Sequence, residues 1–360
     1  MRSKRRLTPR LPTEVDAFAR RLLAWYDDYG RHDLPWQRQA TPYSIWVSEI
    51  MLQQTQVATV IPYFERFVAR FSAVADLATA GRDEVLAHWA GLGYYARARN
   101  MHAAAKIVVA EYNGELPVSM NELEALPGIG RSTAAAILAL AYGQRQAILD
   151  GNVKRVLARY HAVEGWPGRA RILRDLWAFA ESHTPRERLA DYTQAVMDLG
   201  ATVCTRSSPS CERCPVRRRC AARLAGLQEQ LPTRKPRATR PQRQVSVLLV
   251  RDSEQRVLLK RRPDTGIWGG LFSLPELADG DDAQRWCDRY LGTGVSSREA
   301  LAPIDHAFTH FDLRIEPLVL KLQGEARSVM DSDEWLWYKP AHELIVGVAA
   351  PIATLLSSLS

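Results

Sequence analysis

No stretch of the sequence approaches the roughly 20 consecutive apolar residues that a bilayer-crossing helix needs, so no membrane span is expected. The opening Met1-Arg2-Ser3-Lys4-Arg5-Arg6 is basic, yet no apolar segment follows it. That argues against a secretory signal and for a cytoplasmic protein. Cysteine is scarce, with five in 360 residues, and four of these crowd between Cys204 and Cys220. Scattered pairs would suggest disulfides, whereas a tight cluster in a reducing compartment suggests a metal site. Charge is not in excess: 24% of residues are charged and 46% hydrophobic, which excludes wholesale disorder and leaves apolar material for two cores. Acids are the minority, leaving a formal charge of +8. The surplus favours a polyanionic partner without identifying one. No internal repeat is present.

Four segments follow from composition. Residues 1–13 form a basic tail. Residues 14–221 read as mostly helical, with apolar residues such as Leu22, Leu23, Trp25 and Tyr26 recurring at helical spacing. Thr41-Pro42 reads as an N-cap followed by proline at the first helical position, and Ser119-Met120-Asn121-Glu122 as a capping box. Residues 222–243 are a stiff basic connector, whose part 231–243 holds three prolines, five basic residues and no acid. Residues 244–360 change texture to α+β. Gln244–Val250 and Arg256–Lys260 suggest a hairpin, Phe311–Ile315 and Leu318–Leu322 two further strands, and 341–358 a helix.

Cys204, Cys211, Cys214 and Cys220 form a C-x6-C-x2-C-x5-C array that can wrap one metal centre. Thiolate softness alone leaves zinc and an iron–sulfur cluster both open. Arg206, Arg213, Arg217, Arg218 and Arg219 lie in this loop against one acid, Glu212, either as a phosphate grip or as a solvated face. Cys287 stands apart as an ordinary thiol. Leu126-Pro127-Gly128-Ile129-Gly130-Arg131 separates two helical stretches, and its glycines permit a tight turn opening a helix. Such a turn binds phosphate through backbone N–H groups or serves as a purely structural corner. Glu49 shares an apolar stripe with Ile45 and Leu52. There it is either an edge glutamate or a general acid whose pKa desolvation raises toward roughly 6–7. Asp150, before Gly151-Asn152-Val153-Lys154-Arg155, reads first as a helix cap.

Leu34-Pro35-Trp36-Gln37, the run Trp46–Val57, Leu149–Arg155, the glycine turn and the cysteine spacing together resemble the MutY branch of the helix-hairpin-helix, endonuclease III superfamily of DNA glycosylases. The resemblance implies a two-domain chain: a mostly α-helical glycosylase domain with a [4Fe–4S] loop, then an α+β Nudix-like domain. It implies Glu49 as the acid that protonates adenine and Asp150 as the carboxylate facing the sugar. It implies Arg31, Trp36, Ser132, Asn152 and Gln194 around the adenine pocket, and Gln53, Gln54, Tyr94, Gly128, Gly130 and Lys154 on DNA. In Gly91–Asn100, Tyr94 is the expected wedge and the arginines expected phosphate contacts, although packing of the tyrosines into the core is the plainer alternative. Bifunctional relatives carry a Schiff-base lysine where this chain has Ser132, so strand cleavage is not expected. Trp268–Pro275 and Phe308-Thr309-His310-Phe311 resemble the module that recognises 8-oxoguanine. Phe308, Thr309 and His310 are its candidates, with a locally satisfied edge histidine as the alternative. The carboxylate pattern of Nudix hydrolases is absent after Glu276. The implied cofactor is one [4Fe–4S] cluster bound by Cys204, Cys211, Cys214 and Cys220. The implied partner is double-stranded DNA holding an 8-oxoguanine·adenine or guanine·adenine mispair, met by a monomer.

Overall fold

The computed structural model describes residues 17–38, 40–235, 239–278, 280–308, 310–324, 326, 333–340 and 346–359. The basic tail 1–13, Thr309 and residues 341–345 of the expected last helix lie outside them. Two compact units emerge: residues 1–78 with 103–236, and residues 79–102 with 237–360. Residues 79–102, placed by sequence order inside the segment 14–221, thus pack with the C-terminal part of the chain.

The helices run α1 (Ala17–Tyr29), α2 (Pro35–Arg38), α3 (Pro42–Leu52), α4 (Val57–Arg70), α5 (Val74–Thr79) and α6 (Arg82–His88). Next come α7 (Ala96–Tyr112), α8 (Met120–Ala125), α9 (Arg131–Tyr142), α10 (Gly151–Tyr160), α11 (Ala170–His183) and α12 (Leu189–Asp198). A π-turn over Leu199–Val203 leads into the cysteine loop, closed by α13 (Ala221–Leu224). The core of the first unit is built from apolar stripes at helical spacing, such as Phe18, Leu22 and Tyr26 of α1, which packs on α12 with its Tyr192, Ala195 and Val196. Thr41 caps α3 as expected, with Ser44 N–H donating to Thr41 Oγ1 and Thr41 N–H to Ser44 Oγ. Ser119 precedes α8, but its side chain makes no capping bond, so the expected box there does not form.

The second unit carries β1 (Gln242–Arg251), β2 (Val257–Arg261), β3 (Phe272–Ser273), β4 (Glu276–Leu277) and α14 (Ala283–Leu291). Then follow β5 (Val295–Ala300), β6 (Ile304–Ala307), β7 (Asp312–Leu322), β8 (Trp335–Tyr338) and α15 (Ala350–Ser357). One sheet holds these strands in the order β3-β2-β1-β7-β5, with β4 and β6 on β1 and β7 and with β8 on β2. The β1–β7 pair is parallel and the others are antiparallel, β1 and β2 forming the expected hairpin. Alternation along β1 sends Val247 and Leu249 toward α15, and Leu248 and Val250 toward α14, where Cys287 is also buried. The two strands expected on either side of Pro317 are one. Pro317, which lacks an N–H, falls between Ile315, paired with Ile304 of β6, and Leu318, paired with Ala300 of β5. A proline there interrupts neither antiparallel ladder.

Among the described residues no helix is long and apolar enough to cross a membrane. Thr41→Ala removes the reciprocal cap of α3, and unfolding by denaturant should show a loss of about 1 kcal/mol. An unchanged midpoint would mean that the cap carries no weight.

Candidate active site

Helix α3 buries Tyr43, Ile45, Trp46, Val47, Ser48, Ile50 and Met51, and Glu49 is its one charged side chain. The residue as a whole is half-buried, but its carboxyl is turned away from water and has no hydrogen-bond or ion-pair partner among the described residues. Burial pushes its pKa up to about 8, with the nearby Asp150 carboxylate adding to the shift. The group holds its proton more firmly than periodicity alone suggests.

Asp150 is the N-cap of α10, its Oδ1 accepting from Val153 N–H at 2.7 Å. Burial raises its pKa, opposed by the N–H groups of Val153 and Asn152 and by Arg155 and Lys154. The plain reading as a cap and the functional one therefore coincide. The environments differ in kind: Asp150 has donors and cations that oppose the effect of its burial, whereas for Glu49 burial and the Asp150 anion act in the same direction. Ser132, in the first turn of α9, accepts Leu149 N–H at 3.0 Å and so holds the approach to Asp150. Half-buried Lys154 lies one turn into α10.

The hairpin Leu126–Gly130 joins α8 to α9, with Gly128 at φ 83°, a conformation that would strain a side chain. Gly130 is the N-cap of α9. Gln53, an expected DNA contact, donates weakly to Gly128 O (3.4 Å) and Thr133 Oγ1 (3.3 Å), tying α3 to the hairpin. Gln54 is exposed with φ 59°.

Arg31 and Gln194 do come together, on a residue that sequence reasoning missed. Asp198, 1% exposed, accepts from Arg31 N–H (2.8 Å), Nε (2.9 Å) and Nη2 (2.6 Å), and from Gln194 Nε2 (2.7 Å). The i,i+4 spacing of Gln194 and Asp198 on α12 was the available signal. Trp36 is buried edge-on against Phe64 at 5.4 Å.

Helix α10 also reaches the cysteine loop. Arg155 bridges Asn152 Oδ1 (2.8 Å), Gly200 O (2.7 Å) and Cys204 O (2.7 Å). Arg159, 2% exposed, donates to Cys204 Sγ (3.3 Å) and to the carbonyls of Thr205 (2.7 Å), Arg206 (3.2 Å) and Leu231 (2.8 Å). All four cysteines of the array line one cavity, walled by Val156, Leu199, Val203 and Val216. None is in a disulfide. Among the described residues no three His, Cys, Asp or Glu side chains are grouped to hold a single metal ion. Burial pushes the Cys214 thiol up to about 12 and raises Cys211 and Cys220. In the loop, Glu212 pairs with Arg223 rather than with one of the arginines beside it.

The remaining candidates belong to the second unit. Tyr94, 50% exposed at φ 49°, projects from a loop in which Tyr95 is buried and its hydroxyl accepts Gly91 N–H. The arginines expected on phosphate are committed elsewhere. Arg97 is buried and donates to the carbonyls of Leu92 and Gly93, and Arg99 donates to those of Gly269 and Asp264. Phe308 stacks on Phe311 at 4.7 Å, and exposed His310 borders a cleft with Arg243, Gln244 and Gly266. Glu276 is paired with Arg262.

Residues 47–182 match the HhH-GPD superfamily of base excision DNA repair proteins, and residues 246–358 match the NUDIX domain. An adenine DNA glycosylase of Buchnera aphidicola is 36% identical over 95% of this chain and 97% of its own. The human adenine DNA glycosylase is 34% identical over 93% of this chain and 73% of its own. Among solved structures, a thermostable thymine-DNA glycosylase is 28% identical with a TM-score of 0.53, covering 58% of this chain and 95% of that one. With a helix-hairpin-helix unit, a Nudix-like sheet and this similarity along nearly its whole length, the chain belongs to the adenine DNA glycosylase family of DNA N-glycosylases.

Proposed function

We propose that the protein excises adenine opposite 8-oxoguanine, or opposite guanine, from double-stranded DNA. It acts as a monomer and leaves an abasic site without cutting the strand. The observation that carries this reading is the Glu49 carboxyl, held protonated near neutral pH beside Asp150.

Adenine must first leave the stack, at a cost of a few kcal/mol. Glu49 then gives its proton to a ring nitrogen, so that the bond from the sugar carbon to adenine breaks with its electron pair going to a neutral base. The sugar is left as a cation, which the Asp150 carboxylate steadies. Water adds its hydroxyl to that carbon, and its proton returns to a carboxylate. Ser132 offers no amine for an imine, so hydrolysis ends the reaction. Arg31, Trp36, Asn152 and Gln194 line the pocket in this reading, with Asp198 fixing Arg31 and Gln194. Gln53, Gln54, Gly128, Gly130 and Lys154 contact the DNA, Tyr94 fills the gap in the stack, and Phe308, Thr309 and His310 read the oxidised partner base.

The cysteine cavity suits a polynuclear cluster. Four sulfurs line it, and a buried guanidinium offsets thiolate charge. Cys204, Cys211, Cys214 and Cys220 would hold [4Fe–4S], which when bound supplies cross-linking of the loop and not the chemistry of the base. Thiols raised by burial need a bound cation to become thiolates. The loop they form carries exposed arginines to the phosphates.

Single-turnover adenine release from an 8-oxoguanine·adenine duplex tests the carboxyls. Glu49→Gln should slow it by roughly 10²- to 10⁴-fold, and Asp150→Asn by roughly 10²-fold or more. Wild-type speed in Glu49→Gln would end the proposal, and strand breaks before alkali treatment would restore a lyase reading. The active form has Glu49 protonated and Asp150 ionised. The rate should therefore fall as pH rises through about 8, the Glu49 value, and fall again in acid as Asp150 takes up a proton. A flat profile across the alkaline limb contradicts the assignment. Cys214→Ser should remove visible absorption, iron and acid-labile sulfide together; zinc in the purified wild type in their place would refute the cluster.

A further inference from the structure

Residues 79–102 lie far from the C-terminal sheet in sequence yet belong to the same compact unit. Three polar contacts fasten them there. Arg261 forks onto Asp83, Nη1 to Oδ1 at 2.5 Å and Nη2 to Oδ2 at 2.7 Å. Arg82 forks onto Asp264. Arg99 donates to Gly269 O at 2.5 Å and to Asp264 O at 3.3 Å. Two glycines mark how close the approach is. A Cβ on Gly270 would stand 2.1 Å from Arg82 Nη2, and one on Gly347 would stand 2.9 Å from Leu86 Cβ.

Beyond this fastening, the loop that presents Tyr94 is braced from within. Arg97 Nη2 and Trp89 Nε1 both donate to Gly93 O at 3.1 Å, and the Arg97 guanidinium lies 5.4 Å from the Trp89 and Tyr94 rings. Isolated exposed ion pairs contribute little. Here, however, Arg261 is only 17% exposed and both carboxylates are held bidentately, which fixes geometry as well as adding energy.

We infer that residues 79–102 and the C-terminal sheet are one composite reader of the base opposite adenine, in which Asp83, Arg261 and Arg99 are positioning residues that set Tyr94 relative to Phe308 and His310. This rests on the proposed roles of those three aromatic residues. The clasp makes recognition of the partner base and filling of the vacated stack a single rigid task, so loosening it costs discrimination between partner bases before it costs chemistry.

The test uses the full chain as wild type, Asp83→Arg, Arg261→Asp, the charge-swapped double variant and Arg99→Ala, which leaves both ion pairs intact. Hydrogen exchange of the 89–97 amides is followed without DNA. Adenine release is followed on duplexes with 8-oxoguanine or guanine opposite adenine. Each single substitution should speed exchange in 89–97 and lower the ratio of the two rates about tenfold, as a small misplacement does. The double variant should recover both. Unchanged exchange in all single variants overturns the inference, as does an equal loss on both duplexes without recovery in the double. If an ion-pair variant fails to fold, Arg99→Ala decides by the same two readouts. Should the wild type release no adenine, or show no preference for 8-oxoguanine, the functional reading fails while the exchange data still decide the clasp.

Discussion

Two carboxyl groups placed near each other in a poorly solvated setting cannot both give up their protons at ordinary pH. Everything else in the first unit decides which one keeps it. For Glu49, burial and the field of Asp150 both raise the pKa, whereas for Asp150 the opening N–H groups of α10 and two cations oppose the effect of burial. In the proposed mechanism the proton belongs to Glu49. That asymmetry is made by backbone geometry: the cap that stabilises α10 also supports the charge on Asp150, and the Ser132 hydroxyl keeps the segment leading to it in place.

Helix α10 extends the same logic over its length. Its first residue follows the anion, and its last turn carries Arg159, buried and engaged by three carbonyls and a cysteine sulfur. A guanidinium so deep is tolerable only when its donors are met, and removal of such partners is costly. The cysteine loop and the end of α10 thus require one another. A change in the loop reaches Asp150 through a rigid helix anchored by Arg155 and Arg159 rather than through a loose tether.

Much of this was legible in the sequence because it depends on local rules. Thr41-Pro42, the glycine turn and Asp150 before Gly151 each specify a helix boundary, and the structure has one at each. Ser119 shows the limit: the right residue precedes a helix, but its side chain makes no cap. Asp198 was only half legible: its i,i+4 spacing from Gln194 lies in the sequence, but its other partner, Arg31, is distant in it. The arginines after Tyr94 misled for the same reason. A basic run beside a glycine loop reads as a phosphate grip, yet Arg97 and Arg99 close on backbone carbonyls that only tertiary structure supplies. Pro317 misled in the opposite sense, since proline's missing donor matters only where a ladder needs it.

The discontinuous make-up of the second unit bears on how the chain is assembled during synthesis. Leu86 and the loop around Tyr94 leave the ribosome long before Gly347, yet the surface that receives them is complete only once Gly347 has emerged. Until then Val85, Leu86 and Trp89, all buried in the finished protein, lack the C-terminal part of their cover. Contacts of such long sequence separation form late and slowly. The Tyr94 loop therefore takes its final shape long after its own residues are made.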